Sequence, residues 1–557
     1  MDSVAPLRFR PRSAPRGRQV DPACREAVRD ACAGLAPRRD LLIEHLHRLQ
    51  DRFQALSRPH LAALAEHLKL SQTEVYEVAS FYHHFDVVDE LPETVATTVR
   101  VCTSLPCAMA GGQALLASLQ GTAAARVLAV PCIGRCHHAP AACVGQHEMG
   151  EATASAIRAA VAQGAIAPLA LPDATRYASY RQAGGYRLLA DCVAGRRSVE
   201  AVLAELEAAN LRGLGGAGFP AARKWRSVMA QPAPRHMVVN IDEGEVGTFK
   251  DGELLARDPH RMLEGMLVAA WAVGAERVWI YVRDEYHAAR QLLVEELAAL
   301  RADPPVAALP AIELRRGAGA YICGEESALI ESLEGKRGWP RLRPPIVAQV
   351  GVFGRPTLAH NLETLWWVRD LVEHGGAAWA ALGRRGRPGL RRFSVSGRVQ
   401  RPGVHLAPAG ITLRELIDEF AGGLCPGHEL YAFLPGGASG GILPASLADV
   451  ALDFDLLAEH GAFIGSMAVV VLSQHDRARD AARSLTSFFE HESCGQCTPC
   501  REGTVQAGLM MQAPAWPVQA MAELSAVMRD ASICGLGQSA ANPMDSVIRH
   551  FPHEIQP

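Results

Sequence analysis

No stretch of this 557-residue chain approaches the roughly 18 consecutive apolar residues of a membrane-spanning helix. Neither charge is in excess. Its 56 lysines and arginines stand against 59 aspartates and glutamates, and the net charge of −3 leaves no overall basic field to attract nucleic acid. A secretory signal is also missing, so the 14 cysteines point to a reducing, cytoplasmic setting and to metal or redox chemistry rather than disulfides. Residues 1–20 carry five arginines and one acid, as a transit peptide would, yet Pro6, Pro11 and Pro15 break the amphipathic helix such a peptide needs. A disordered tail is the expectation there. What remains is 49% hydrophobic and 21% charged, an ordinary globular composition long enough for several domains, each with its own core.

The cysteines fall into patterns. In ESCGQCTPCREGT, Cys494, Cys497 and Cys500 follow the repeat C-x2-C-x2-C, but Thr504 holds the place where a bacterial ferredoxin run would present its fourth cysteine. The next cysteine is Cys534, in SICGLGQ, distant enough to close on the trio from another helix or loop. These four form a candidate thiolate set for a [4Fe-4S] cluster. Upstream, Cys102 and Cys107 are separated by four residues and Cys132 and Cys136 by three, each pair following a β-branched lead (TTVRV, RVLAV) that reads as a strand running into a loop. With QALLASLQ as a helix between them, the unit brings two thiolate pairs together, as a [2Fe-2S] centre requires. Zinc and a redox dithiol are the alternatives, although neither pair has C-x2-C spacing.

A glycine-rich loop, NLRGLGGAGFPAARKW, places Gly213, Gly215 and Gly218 in G-x-G-x-x-G register, with Gly216, Phe219 and Lys224 beside them. The helix-like SVEAVLAELEAAN before it is wrong for a Rossmann fingerprint, which needs a strand. Small residues there still let backbone N–H groups approach a phosphate or flavin, with Lys224 supplying positive charge. HMVVNIDEGEVGTFKD then sets a buried-type strand directly before Asn240, Asp242, Glu243 and Glu245, where ligand-facing polar groups are expected. His83 and His84 lack neighbouring ligand spacing and read as structural residues at a helix end.

Cys102, Cys107, Cys132 and Cys136, with IGRCHHAPAACVG and SQTEVYEVASFYHHF, resemble the thioredoxin-like [2Fe-2S] subunit of the NADH-oxidising module of respiratory complex I. From Ser198 to about His550 the chain resembles the flavoprotein subunit of the same module, through RGLGGAGFP, the NIDEGE strand end, GAGAYICGEESALIESLEG, PTLAHNLETL and the C-terminal cysteines. The resemblance implies FMN and NAD as cofactors, with Tyr321, Gly324, Glu325 and Asn361 joining Asn240, Asp242, Glu243 and the glycine loop around the flavin and nucleotide. Glu245 and Glu326 are expected to place the nicotinamide and ribose, and carboxylates there disfavour the 2′-phosphate of NADP. Ile346 stands where the family usually has an aromatic, Arg343 where lysine is common, and His360 replaces the first of two asparagines.

The resemblance implies an α/β multidomain fold: tail 1–20, helical bundle 21–95, thioredoxin-like [2Fe-2S] domain 96–172, Rossmann-like FMN- and NAD-binding domain 173–388, ubiquitin-like β-grasp domain 389–473 and helical [4Fe-4S] domain 474–557. The β-grasp domain reads as a spacer, and Cys24, Cys32, Cys143, Cys192, Cys323 and Cys425 as small buried hydrophobes. A nicotinamide exchanges electron pairs as hydride, iron–sulfur centres exchange single electrons, and a flavin does both. The implied role is a diaphorase subunit in a hetero-oligomer, most like the β subunit of a soluble NAD-dependent formate dehydrogenase. Its partner would be a catalytic α subunit bearing molybdenum or tungsten and further iron–sulfur clusters. The alternatives are the diaphorase of an NAD-reducing hydrogenase, with a nickel–iron partner, or another NADH:acceptor oxidoreductase.

Overall fold

The SQTE sequence that opens the last N-terminal helix forms a capping box. Ser71 Oγ accepts from Glu74 N–H and the Glu74 carboxylate accepts from Ser71 N–H, satisfying two backbone donors that a helix start leaves open. Asp21 and Ser57 cap the starts of Pro22–Ala31 and Arg58–Leu68 with a side-chain oxygen alone, accepting from Ala23 and His60 N–H, each ahead of a proline in the first turn. In this computed structural model, which describes residues 17–92 and 96–556, these helices and Leu42–Phe53 pack on Leu46, Leu49, Leu61, Leu64 and Val75. With Glu334–Arg337 they form one compact unit. Most of the expected tail, residues 1–16, lies outside the described residues. Among those described, no helix is long and apolar enough to cross a membrane.

The second unit spans Ala96–Leu333 and Gly338–Pro557. It opens with a four-stranded sheet ordered Ala125–Val130, Thr97–Cys102, Ala142–Val144, His147–Met149, in which only the first pair is parallel. Gly112–Leu119 is the helix between the two cysteine pairs. Next comes a fully parallel sheet ordered Thr357–Asn361, Arg235–Ile241, Ala275–Val282, Ala311–Arg316. Its strands read as continuous apolar runs because helices cover both faces. Met237, Val238, Val239 and Ile241 are at most 1% exposed, and each such burial contributes about 1.5–3 kcal/mol. Asn361 and Asn240 stand side by side at the C-terminal ends of adjacent strands, the edge where open α/β sheets bind ligands.

A five-stranded mixed sheet follows, ordered Gly403–Pro408, Leu390–Gly397, Ala468–Ser473, Leu430–Leu434, Leu443–Pro444, with Leu390–Gly397 and Ala468–Ser473 parallel at its centre. One apolar core runs from the parallel sheet into this one through Phe393, Val395, Phe433, Val469 and Val471. The chain ends in helices Ala478–Glu492, Thr498–Met510, Val518–Ala531, Gly535–Ser539 and Asn542–His550. Of the six cysteines outside the two sets, Cys32, Cys143, Cys192 and Cys323 are buried as expected. Cys24 and Cys425 are only half-buried, which corrects the uniform reading.

Candidate functional site

The N-terminal set gathers where two strands end. Cys102 closes Thr97–Cys102, Cys107 lies in the short helix Leu105–Met109, and Cys132 and Cys136 occupy the loop after Ala125–Val130. All four are 1–3% exposed, and Cys132 Sγ lies 3.2 Å from Cys136 Sγ. The hydrogen bond from Cys136, helped by Arg283 and the backbone N–H groups of Gly134 and Gly247, brings the Cys132 thiol down to about 6 against its burial. In the C-terminal set, Cys497 is the N-cap of Thr498–Met510, Cys500 lies in that helix's first turn, and Cys534 is the N-cap of Gly535–Ser539. Cys500 feels the charges of Cys494, Cys497 and Cys534, so the fourth member comes from the segment the spacing indicated.

Both sets fit iron–sulfur clusters better than single ions. Sulfurs around one tetrahedral zinc stand roughly 3.8 Å apart, given Zn–S bonds of about 2.3 Å. Among the described residues, no three of these sulfurs lie mutually within 4.8 Å, which leaves each set too open for one ion. Burial pushes Cys500 up to about 12 and Cys534 to about 11, so neighbouring thiolates there need the positive charge that metals supply.

Between the two sets lies a cavity of about 560 Å³. Of the residues expected around a cofactor, Gly215, Gly216, Asn240, Asp242, Glu243, Glu245, Tyr321, Gly324, Glu325 and Asn361 line it. The glycine loop approaches closely: a Cβ on Gly215 would stand 2.9 Å from Asn361 Cβ, and Gly216 has a φ of +125°. Gly213, Gly218, Phe219, Lys224 and Glu326 are not among the lining residues. Gly213 and Phe219 close the loop through a 2.8 Å backbone bond, and Phe219 is 44% exposed. Lys224 Nζ donates to Glu326 Oε2 at 2.9 Å. Burial raises the Glu326 carboxyl, but Lys224 and Arg343 outweigh it and hold the group below the usual range.

Several lining groups spend their polarity on structure. Asn240 Nδ2 donates to the Gly324 carbonyl at 2.9 Å and its Oδ1 accepts from Asp242 N–H, which joins the two loops. Asn361 caps the helix Leu362–His374 through Glu363 N–H and donates to Asp251. Glu325 Oε2 accepts from Ser327 and Ala328 N–H at the start of Glu326–Leu333. The acids beneath hold their protons more tightly than exposed ones. Burial raises Asp242 well above the carboxylate range, and its Oδ2 is buried without a partner. Glu243, buried and beside Asp251, is pushed up to about 7. Burial also raises Glu245, against hydrogen bonds from Tyr321 and Ser439. An unpartnered carboxyl at the cavity is a free donor for the polar edge of a heteroaromatic cofactor, so the residues present fit FMN.

Other lining residues were not foreseen. Ser439, Phe463, Gly465 and Ser466 come from the mixed sheet's loops, and Gly535, Leu536, Gln538 and Asn542 from the segment after Cys534. Ser439 donates to Glu245 Oε1 through both N–H and Oγ at 2.8 Å. The β-grasp domain is therefore a wall of the cavity, which corrects its reading as a spacer. Its signal, the glycines of LPGGASGGIL, reads equally well as an ordinary turn. On the other side, Arg283 donates to the Glu243 and Cys132 carbonyls, and His137 stacks on Phe249 at 4.3 Å.

Four family models match in order: thioredoxin-like [2Fe-2S] ferredoxin over residues 28–165, Nuo51 FMN-binding domain over 206–370, SLBB domain over 392–443, and NADH-ubiquinone oxidoreductase-F iron-sulfur binding region over 480–557. NADH dehydrogenase [ubiquinone] flavoprotein 1, mitochondrial, of Dictyostelium discoideum is 40% identical over 373 residues, 64% of this chain and 78% of that one. The NADH-ubiquinone oxidoreductase 51 kDa subunit, mitochondrial, of Neurospora crassa is 39% identical over 375 residues, 64% of this chain and 76% of that one. Among solved structures, a chain of an NAD+-reducing [NiFe]-hydrogenase in the H2-reduced state superposes with a TM-score of 0.78 at 33% identity, over 93% of both chains. With an FMN-binding domain and both kinds of iron–sulfur domain in one polypeptide, the chain belongs to the NADH-oxidising flavoprotein family of the NADH-quinone and NADH-ubiquinone oxidoreductases.

Proposed function

We propose that the chain is the diaphorase subunit of a hetero-oligomer, linking NAD(H) to a redox centre on a partner subunit. One observation carries this reading: a single cavity is lined by the glycine loop, by strand-end acids and by residues directly after Cys534, while Arg283 joins its rim to Cys132. FMN, when bound, supplies the exchange between the electron pairs of a nicotinamide and the single electrons of iron–sulfur centres. The chain's own residues bind and orient. Backbone at Gly215 and Gly216 admits the cofactor closely, protonated Asp242 donates a hydrogen bond, and Asn240 and Asn361 brace the loops. Glu245, held by Tyr321 and Ser439, places the nicotinamide. Glu326, paired with Lys224 beyond the cavity lining, is assigned to the ribose side of the nucleotide, where a carboxylate disfavours a 2′-phosphate.

For the partner, the fused N-terminal half with its complete cysteine set supports formate oxidation on a molybdenum- or tungsten-bearing α subunit in the cytoplasm. A second reading, hydrogen oxidation at a nickel–iron centre, is favoured by the likeness to a chain of the NAD+-reducing hydrogenase along 93% of both chains. Isolating the native complex without oxygen, determining its metals and assaying NAD+ reduction with formate and with hydrogen separates them. Molybdenum or tungsten with formate-dependent reduction supports the first reading; nickel with hydrogen-dependent reduction replaces it with the second. An isolated chain that neither retains FMN nor oxidises NADH defeats the diaphorase reading itself.

A further inference from the structure

Away from the cofactor cavity lies a second one, of about 270 Å³, between the turn after helix Val199–Ala208, the segment 386–388 leading into the strand Leu390–Gly397, and the loop at 453–455 of the β-grasp domain. Arg212, Arg387, Arg391, Asp453, Asp455 and Asn210 line it. Among the lining residues three guanidinium groups face two carboxylates, and Glu363, outside the lining, also acts on Arg391. The imbalance is deepest where burial is greatest. Arg391 and Asp453 side chains are each 2% exposed, and Asp453 serves two arginines at once, with Arg387 Nε at 2.8 Å and Arg391 Nη2 at 3.4 Å. Asp455, which pairs with Arg212 Nη1 at 2.7 Å, is 75% exposed.

Arg391 is short of acceptors. Its Nη1 reaches the Leu390 carbonyl at 3.0 Å and its Nη2 makes only the long contact to Asp453, while Nε is buried with no partner. An unsatisfied buried donor is costly, and burial lowers the affinity of this guanidinium for its proton against the charges of Asp453 and Glu363, while its face lies over the Trp379 and Phe454 rings. Guanidinium groups converging on a small polar cavity match the geometry of a tetrahedral oxoanion, which accepts several N–H bonds at once.

We propose that this cavity binds a small oxoanion of the phosphate class, held by Arg212, Arg387 and Arg391 and completing the hydrogen bonding of buried Arg391. The site adjoins the cofactor loop, because Arg212 Nε donates to the Gly218 carbonyl, where the glycine loop closes. Anchoring Arg212 therefore anchors that turn. The cavity's volume admits inorganic phosphate with a few waters.

The test is calorimetric titration of the flavin- and cluster-loaded protein with inorganic phosphate in a chloride buffer, with AMP titrated in parallel. One saturable phosphate site is expected, tightened several-fold by Asp455→Asn, which removes an exposed competing carboxylate, and weakened about tenfold by Arg387→Gln, the usual effect of losing one charged hydrogen bond. If Arg387→Gln fails to fold, Asp455→Asn decides alone, since its side chain is mostly in solvent. The proposal is overturned by an absence of saturable heat, by an affinity unchanged in Asp455→Asn, by binding of AMP without phosphate, or by chloride at equal ionic strength reproducing the signal, which would mark an adventitious ion only.

Discussion

Arg283 ties the rim of the cofactor cavity to the N-terminal cysteine set: its guanidinium donates to the Glu243 carbonyl and, at 2.7 Å, to that of Cys132. The side chain is 4% exposed and pairs with Glu285 at 2.6 Å. Replacing it by leucine leaves two carbonyls and a carboxylate short of a donor, a loss of about 3–5 kcal/mol by analogy with other broken buried pairs. Arg283→Leu is expected to lower the [2Fe-2S] content per chain while FMN and the C-terminal cluster remain. Iron, sulfide and flavin assays with EPR check this, and an unchanged [2Fe-2S] signal would contradict it.

Glu243 sets a pH dependence. Its carboxyl accepts from Asp251 and Gly252 N–H and from Tyr286, yet burial and Asp251 push it up to about 7. Between the unfolded value near 4.5 and the folded value, the native state binds more protons than the unfolded one, so stability falls as pH rises through that window. Thermal midpoints from pH 5 to pH 8 should decline less steeply in Glu243→Gln than in the native protein, because Asp242 and Glu245 remain raised in both, with a difference on the order of 2 kcal/mol at pH 8. A parallel decline in both proteins would remove Glu243 as the cause.

The two cysteine sets should separate by mutation. Cys534 borders the residues Gly535 and Leu536 that line the cavity. Cys534→Ser is expected to abolish delivery of single electrons to the partner and to leave NADH oxidation by an artificial two-electron acceptor in place. Cys132→Ser should cost less, since the family resemblance sets the N-terminal centre off the main route. The unaltered protein should hold about six irons and six sulfides, from one [4Fe-4S] and one [2Fe-2S]. Complete loss of delivery in both mutants with FMN retained argues against this division, and zinc at Cys102, Cys107, Cys132 and Cys136 would remove the N-terminal half of it.

Ser439 tests the wall contributed by the β-grasp domain. Ser439→Ala removes the Oγ donor to Glu245 and leaves the backbone one. A hydrogen bond to a charged group contributes about 1.5–3 kcal/mol, so KM for NADH should rise roughly tenfold or more with FMN content unchanged. Unchanged KM would detach Glu245 from nicotinamide placement.

What the sequence made legible was local. The spacing of Cys494, Cys497 and Cys500, the glycines from Gly213 to Gly218 and the polar cluster after the strand Arg235–Ile241 each declare themselves within a dozen residues, because the chemistry constrains neighbours. Cys534 is the expected fourth because thiolates come in fours, and the fold brings it near Cys500. Ser439 and Asn542 have no such signature: they reach the cavity from sequence positions roughly 200 and 300 residues beyond Glu245, through packing that no short pattern encodes. The same holds for Arg283, whose role depends on two loops meeting at its guanidinium. Lys224 and Glu326, separate contacts in the sequence reading, pair with each other at 2.9 Å while each stays about a quarter exposed.

The stack of His137 on Phe249 belongs to a seam that runs within a single polypeptide. Free subunits meeting across such a seam would give up translational and rotational freedom at every encounter, and their union would fade as they were thinned out. A shared backbone makes the encounter intramolecular, so its equilibrium no longer depends on how much protein a cell makes. Uneven expression cannot leave a flavin half without its N-terminal centre, and dilution cannot part the two.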